Sequence, residues 1–457
     1  MKVLAVLVLI AALLVLAVPV SNFLNGGPSG TVLTKPGSSE PSAKRMASLL
    51  ESRCADCHLQ GIKAPFYASI PVVSGMIQKD RLDGLRLFDI EAALRPGPGG
   101  IPSEPGLAMI EHQILSGEMP PRRYLAMHWK AALDPAEKDT LLGLIQEIRV
   151  RHFAPAGLPR EVASRPVHPL PSKVDVDQRK VVLGQKLYHD NRLSGDDTLS
   201  CASCHDLAKG GTDQAVVSTG IRGQKGGINA PTTFNSSYQF VQFWDGRAAT
   251  LEDQAAGPPE NPVEMGAKFA DIVVKLNADE AFRAEFEAAY PEGISKATLT
   301  HAIAEFERTL VTPGSKFDQY LMGKTDALNE EERTGYQRFQ AAGCETCHVG
   351  RLMGGSSFEL MGRKGDYFKD RGNPTPADDG RFAVTKNDKD RQRFKVPTLR
   401  NVALTFPYFH DGSAKDLNAA VKAMGRYQAG VELANPDVAA ITAFLKTLTG
   451  TYQGKSL

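Results

Sequence analysis

The chain opens on an uninterrupted apolar run, Val3 to Val20. As a helix this run would span about 27 Å at 1.5 Å per residue, close to the ~30 Å hydrocarbon core of a bilayer. A cleaved secretory signal has a shorter apolar region and an Ala-x-Ala-like site, and "AVPVSNF" is a poor match to one. Residues 1–23 therefore read as a transmembrane anchor, with a cleaved signal as the alternative. Either form exports the rest of the chain. Residues 24–43, "LNGGPSGTVLTKPGSSEPSA", are rich in Gly, Pro and Ser and read as a linker.

Helical periodicity then dominates. "AKRMASLLESR" is a short helix that leads into Cys54. "LDPAEKDTLLGLIQEIR" starts with Asp134 as N-cap, Pro135 at the first helical position and Glu137 closing a capping box. Leu141, Leu142, Leu144, Ile145 and Ile148 form its apolar stripe. A second linker, 153–172, carries five prolines. Beyond it, "QRKVVLGQKLYHD", "ATLTHAIAEFERTLV", "LNEEERTGYQRFQAAG" (capped by Asn329) and "NPDVAAITAFLKTLTG" all read as helices. Alternating strand patterns are almost absent. The expected fold is mainly α, with three cytochrome c-like haem domains, long loops and an N-terminal transmembrane helix. The expected domains are 44–152, 173–325 and 326–457.

Composition sharpens this. The 457 residues are 42% hydrophobic and 23% charged, enough for several buried cores. A net charge of +1 gives no argument for nucleic acid as a partner. The six cysteines all fall in one repeated frame: Cys54-x-x-Cys57-His58, Cys201-x-x-Cys204-His205 and Cys344-x-x-Cys347-His348. A zinc ribbon or a redox dithiol uses Cys-x-x-Cys without that His. Three repeats with the His point to three covalent haem c groups, each with two thioether cysteines and one axial histidine.

The second axial ligand separates the three. After His58, Met119 lies in a loop stiffened by Pro120 and Pro121, with Met76, Met109 and Met127 as competitors. After His348, Met424 is followed by Gly425, and its role is open between iron ligand and packing. His/Met ligation raises a haem potential and suits electron transfer. From Asp206 to Glu264 there is no His, Met or Cys. His189, His301, Met265, Lys209, Lys225 and Tyr238 are the remaining candidates for His205's iron, and an open site is the most economical reading. An open haem beside closed ones suits reduction of a small oxidant, with hydrogen peroxide first. Cleaving O–O needs a moved proton and a polarising donor. Gln242 and Glu252 stand in one segment that could supply both.

From about 175 to 450 the chain resembles the bacterial di-haem cytochrome c peroxidases. The resemblance is carried by "LGQKLYHDNRLSGDDTLSCASCHDLAKGGTD", "QFWDGRAATLEDQAAGP", "FERTLVTPGSKFDQYL", "GRFAVTK" and "VPTLRNVALTFPYFHDGSAKDLNAAVKAMG". With the anchor and a third haem domain, the whole chain resembles the tri-haem, membrane-anchored quinol peroxidases. The resemblance implies a peroxidatic haem at Cys201/Cys204 and an electron-transferring haem at Cys344/Cys347, ligated by His348 and Met424. It implies that Glu252 is the catalytic glutamate and Gln242 the distal glutamine, and that calcium binds through Asn229, Thr405 and Pro407. Many di-haem members cap the resting peroxidatic iron with a His in the loop that here reads "STGIRGQKGG"; Ile221 takes that position.

These readings together describe an inner membrane-anchored protein facing the periplasm. It is expected to reduce hydrogen peroxide with electrons from membrane quinol, or alternatively from a periplasmic cytochrome c. A non-catalytic multihaem carrier and a relative that oxidises a partner protein are the other rivals.

Overall fold

The computed structural model describes residues 16–17, 19–22, 40–62, 66–69, 71–94 and 101–457. The expected anchor, 1–23, and linker, 24–43, lie mostly outside the described residues. Among the described residues no helix is long and apolar enough to cross a membrane. The chain divides into two compact units, Met1–Pro166 and Val167–Leu457, with the division inside the expected 153–172 linker.

The first unit is built from α1 (Pro41–His58), α2 (Pro71–Leu87), α3 (Glu104–Ser116) and α4 (Pro135–His152). Met46, Leu50 and Ala55 of α1 pack with Leu107 and Ile110 of α3 and with Leu141, Ile145 and Ile148 of α4. The α4 start forms the expected capping box, with the Glu137 amide donating to Asp134 Oδ1 at 2.8 Å and the Asp134 amide to Glu137 Oε2 at 3.0 Å. The helix expected to stop before Cys54 instead runs on through His58. No glycine or proline interrupts Ala43–His58, so nothing ends it earlier. On α2, a Cβ at Gly84 would lie 2.6 Å from the Cys57 carbonyl oxygen, so glycine lets this helix rest on the first haem motif.

The second unit contains two helix pairs of the same design. α5 (Gln178–Tyr188) packs on α7 (Lys296–Arg308), with α6 (Leu251–Ala255) alongside. α8 (Glu330–Ala341) packs on α10 (Asn435–Lys446), with α9 (Leu417–Ala423) alongside. Each crossing needs a glycine. A Cβ at Gly184 would fall 1.9 Å from Ala302 O, and one at Gly335 would fall 1.9 Å from Ala440 O. The next contacts, Phe306 and Phe444, also correspond. Two antiparallel strand pairs are the only sheets among the described residues: β1 (Phe358–Leu360) with β2 (Arg393–Lys395), and β3 (Thr451–Tyr452) with β4 (Lys455–Ser456).

The expected boundary at 325/326 is crossed in both directions. Phe317 and Leu321 pack into the core of Phe339, Ile441 and Phe444. Tyr452 and Leu457, at the end of the chain, pack on Tyr188, Phe234 and Phe306. Arg400, fully buried, is paired with Asp318 at 2.8 Å and donates to the His168 carbonyl at 2.9 Å. The two halves thus exchange terminal segments.

Candidate active site

Three motifs share one arrangement at the axial histidine. Nδ1 of His58 meets Phe88 O at 2.8 Å, that of His205 meets Gly211 O at 3.3 Å and that of His348 meets Met353 O at 2.9 Å. A carbonyl only accepts, so Nδ1 carries the proton and Nε2 presents a lone pair to a metal. Burial lowers the pKa of His205, and takes that of His348 down to about 4, favouring the neutral form a ligand needs. None of the six cysteines is in a disulfide. Burial pushes Cys54, Cys201, Cys344 and Cys347 up to about 12, with Cys57 at about 11, so their thiols are neutral. Unbridged thiols paired with an oriented histidine fit covalent haem c.

The loops enter these motifs differently. The first lies in α1. The second and third form short 3₁₀ turns, Cys201–Ser203 and Cys344–Thr346. Gly343 at φ 74° breaks α8 before the third motif. Cys344, Cys347, His348 and Met424 line one cavity open to solvent. Met424 begins a π-helical segment, Met424–Ala429, that continues α9. Such segments re-aim side chains and cluster at functional sites. A Cβ on Gly425 would meet Leu433 Cδ1 at 2.8 Å, so the glycine allows that loop to close over the segment.

The same cavity brings together Asn229, Thr405 and Pro407. The Asn229 amide nitrogen donates to Ala215 O at 2.9 Å, which identifies Oδ1 as the end able to face a cation. The Thr405 hydroxyl is spent on Val402 O. One side-chain oxygen and two carbonyls are the hard donors that suit calcium. Trp244 donates to Asn229 O at 3.0 Å and also lines the cavity. Lys395, missed by the sequence reading, lines it as well, with its ammonium on Gln239 Oε1 and Val241 O and its pKa lowered by burial to about 7. Asp378, His410 and Asp411 form a cluster with metal-ligand spacing, but Arg371 pairs with both carboxylates, so it is an ion-pair network.

The second motif is surrounded by other groups. Ser218 hydrogen-bonds Cys204, which sets the 218–226 hairpin beside this haem site. The hairpin is closed by Gly220 N on Gln224 O at 2.8 Å and Gly226 N on Ser218 O at 2.9 Å. Ile221 is buried and its amide donates to Glu264 O at 2.8 Å. A Cβ on Gly266 would lie 2.3 Å from Ile221 Cδ1, so Ile221 fills the space above Gly266. The other candidate ligands are engaged elsewhere. Met265 lies in the core with Leu183 and Ile272, His301 pairs with Tyr290, Lys209 with Asp206, Lys225 with Thr219, and Tyr238 stacks under Arg351. His189 ends α5 and packs edge-on to Tyr188.

Gln242 is buried, with its amide nitrogen donating to Ser236 O at 3.0 Å, which leaves Oε1 as an acceptor. Glu252 lies in the first turn of α6, capped by Thr250, and pairs with Arg308 of α7 at 2.5 Å. Burial pushes the Glu252 carboxyl up, but the Arg308 hydrogen bond and charge outweigh it and hold it below the usual carboxylate range. Arg308 also pairs with Glu305 at 2.7 Å. Beside it, buried Glu307 is pushed up to about 8 by burial and by the charge of Glu252. Glu252 and Glu307 are thus pushed in opposite directions, one held ionised and the other protonated, a division that supports proton handling. Sequence reading missed Arg308 and Glu307; their only local signal is the Glu305/Arg308 i,i+3 pair.

In the first unit Met119 is exposed, Met76 is exposed, and Met109 and Met127 are half-buried. The structure does not single out one of the four.

Residues 178–326 match the di-haem cytochrome c peroxidase family and residues 21–147 match a haem-binding domain. The chain is 45% identical over 411 residues to cytochrome c peroxidase Ccp of Escherichia coli K12, covering 90% of this chain and 88% of that protein. It is 47% identical over 300 residues to cytochrome c551 peroxidase of Nitrosomonas europaea, covering 65% and 87%. Among solved structures, a MauG-like protein associated with microbial copper homeostasis matches with a TM-score of 0.55 at 31% identity, over 64% of this chain and 95% of that one. The chain belongs to the di-haem cytochrome c peroxidase family, and is a haem peroxidase.

Proposed function

We propose that this peroxidase is a tri-haem, membrane-anchored quinol peroxidase of the periplasm. Cys54, Cys57, His58 and Met119 would hold the haem that accepts electrons from quinol, Cys344, Cys347, His348 and Met424 would hold an electron-transferring haem, and Cys201, Cys204 and His205 would hold the peroxidatic one. Asn229 Oδ1 and the carbonyls of Thr405 and Pro407, which line one cavity, would hold calcium as hard oxygen donors. The observation that carries the reading is the contrast in the second unit: Met424 lines the cavity of His348, while the hairpin beside Cys204 offers Ile221, which has no atom able to bind iron.

When bound, haem supplies the electrons and the Lewis-acidic iron for O–O cleavage. The protein moves the protons and holds the substrate. Glu252, kept ionised by Arg308, takes a proton from the near oxygen of hydrogen peroxide and delivers it to the far one. Gln242 orients the peroxide through its amide, itself fixed on Ser236 O. One peroxide, two electrons and two protons give two waters.

The names of the relatives favour a second donor, a soluble cytochrome c, feeding the same site. Peroxide consumption by the detergent-solubilised full chain, with menadiol and with reduced cytochrome c in turn, separates the two. Faster turnover with menadiol is expected; turnover with cytochrome c alone would replace quinol by the soluble donor.

A further inference from the structure

The cavity lined by Cys344, Cys347, His348 and Met424 has on its wall a buried lysine that proton handling at Glu252 does not use. Lys395 ends β2, is 4% exposed, and its amide donates to the Trp244 carbonyl at 2.8 Å. Its ammonium donates to Gln239 Oε1 and, at 3.1 Å, to the Val241 carbonyl. An ammonium carries three N–H donors, so one is left over. Among the described residues the carboxylate whose charge reaches it is Asp245, and that one is paired with Arg247 at 3.0 Å. Burial, with no counter-charge beside it, lowers the Lys395 ammonium to about 7.

A buried cation is stabilised when an anion is placed against it and its remaining donor is used. Haem c brings two carboxylates, its propionates, on the half of the ring away from the thioethers. The other Lys or Arg on the cavity wall is Arg363, and it stands on the thioether side. Its Nη1 is 3.8 Å from Cys347 Sγ and 3.9 Å from Glu359. Arg363 therefore already has a carboxylate. Lys395 is tied instead to the 239–244 segment, whose Trp244 also holds Asn229 O. Of the two cations on this wall, Lys395 is the one with a donor and a charge still to be matched.

We propose that Lys395 is the counter-ion of a propionate of the haem at Cys344 and Cys347, and that its charge raises the reduction potential of that haem. This rests on the reading of Cys344, Cys347, His348 and Met424 as a haem site. The unused N–H of the ammonium donates to a propionate oxygen, and Gln239 and Val241 keep the side chain in place. A fixed positive charge favours the reduced haem, which carries one electron more than the oxidised one. Lys395 thus adds to the effect of the Met424 ligand, which also raises the potential.

The test uses the haem-loaded full chain and the variants Lys395→Met and Lys395→Arg, with haem content checked by absorbance. A potentiometric titration below neutral pH gives the midpoint potentials, and the step of this haem is the one that Met424→Ala displaces. Resonance Raman scattering reports the propionate bending band. Lys395→Met is expected to lower the reduction equilibrium constant of this haem about tenfold, ~59 mV for one electron, and to shift the band. Lys395→Arg, which keeps the charge, is expected to stay near the wild-type potential. If Lys395→Met fails to take up haem, Lys395→Gln decides by the same readouts. A potential and a band that match the wild type overturn the proposal and leave Lys395 as a strap between β2 and the 239–244 segment. A lowered potential with an unmoved band also overturns it, since the charge then acts without touching the propionate. A wild type with no haem on Cys344 and Cys347 overturns the haem reading itself.

Discussion

The two Cys-x-x-Cys-His modules of the Val167–Leu457 unit share a scaffold and differ in the segments set beside it. Each sets a glycine helix against a second helix: Gly184 on Ala302 and Phe306, Gly335 on Ala440 and Phe444. Each orients its histidine through a backbone carbonyl. On the other side they part. The second module extends α9 into a π-helical segment that carries Met424 to the cavity of His348. The first module places a tight hairpin with buried Ile221, and beside it a short helix whose Glu252 is held by Arg308. One scaffold thus carries two different surroundings, and the difference lies in loops, where function is commonly placed.

The largest effect is expected at Glu252. Glu252→Gln keeps the shape and removes the base, so peroxide turnover should fall by about 10²–10⁴-fold with haem content unchanged. Peroxide consumption and the haem absorption spectrum check this together. Next comes the closed module. Met424→Ala should lower the midpoint potential of its haem, turn its spectrum towards high spin and slow peroxide turnover by roughly tenfold, a barrier rise of ~1.4 kcal/mol. The corresponding change at Met265, a core residue, should leave the spectrum of the peroxidatic haem as it is.

Arg308 tests the proton side of the comparison. It holds the Glu252 carboxyl below the usual range, against the upward push of burial. The base form of Glu252 therefore survives to low pH in the wild type. Arg308→Ala removes the opposing charge, the carboxyl rises, and the acid limb of the kcat/KM profile should move to higher pH. An unmoved limb would take Glu252 out of the role of base. The smallest effects belong to the shared scaffold. Gly184→Ala and Gly335→Ala should each cost about 1–3 kcal/mol in denaturant unfolding, since each Cβ meets a helix carbonyl. Similar losses in both would mark the two crossings as equivalent; a large loss in only one would break the symmetry.

How much of this was legible in the sequence follows from the range of each interaction. The three haem motifs and the Asp134/Glu137 capping box are local patterns, and the structure has the box as expected. The α8 cap at Asn329 is local too, and it also forms with Glu332. The helix crossings were not legible, because Gly184 meets Ala302 across more than a hundred residues. The Arg308–Glu252 pair spans 56 residues and had no spacing rule to reveal it. The exchange of Phe317 and Leu457 between the two cores was hidden because both are ordinary apolar residues. Met119 shows the opposite case: the prolines beside it are a clear local signal, yet its side chain is exposed in the structure.

Ile221 is expected to leave the iron side opposite His205 open to peroxide. This expectation is tested most directly by adding hydrogen peroxide and donor to fully oxidised, never pre-reduced protein and recording the onset of turnover. Full rate from the first turnover is expected, with no change after pre-reduction. A lag that pre-reduction abolishes would show that another residue caps this iron at rest, and would contradict it.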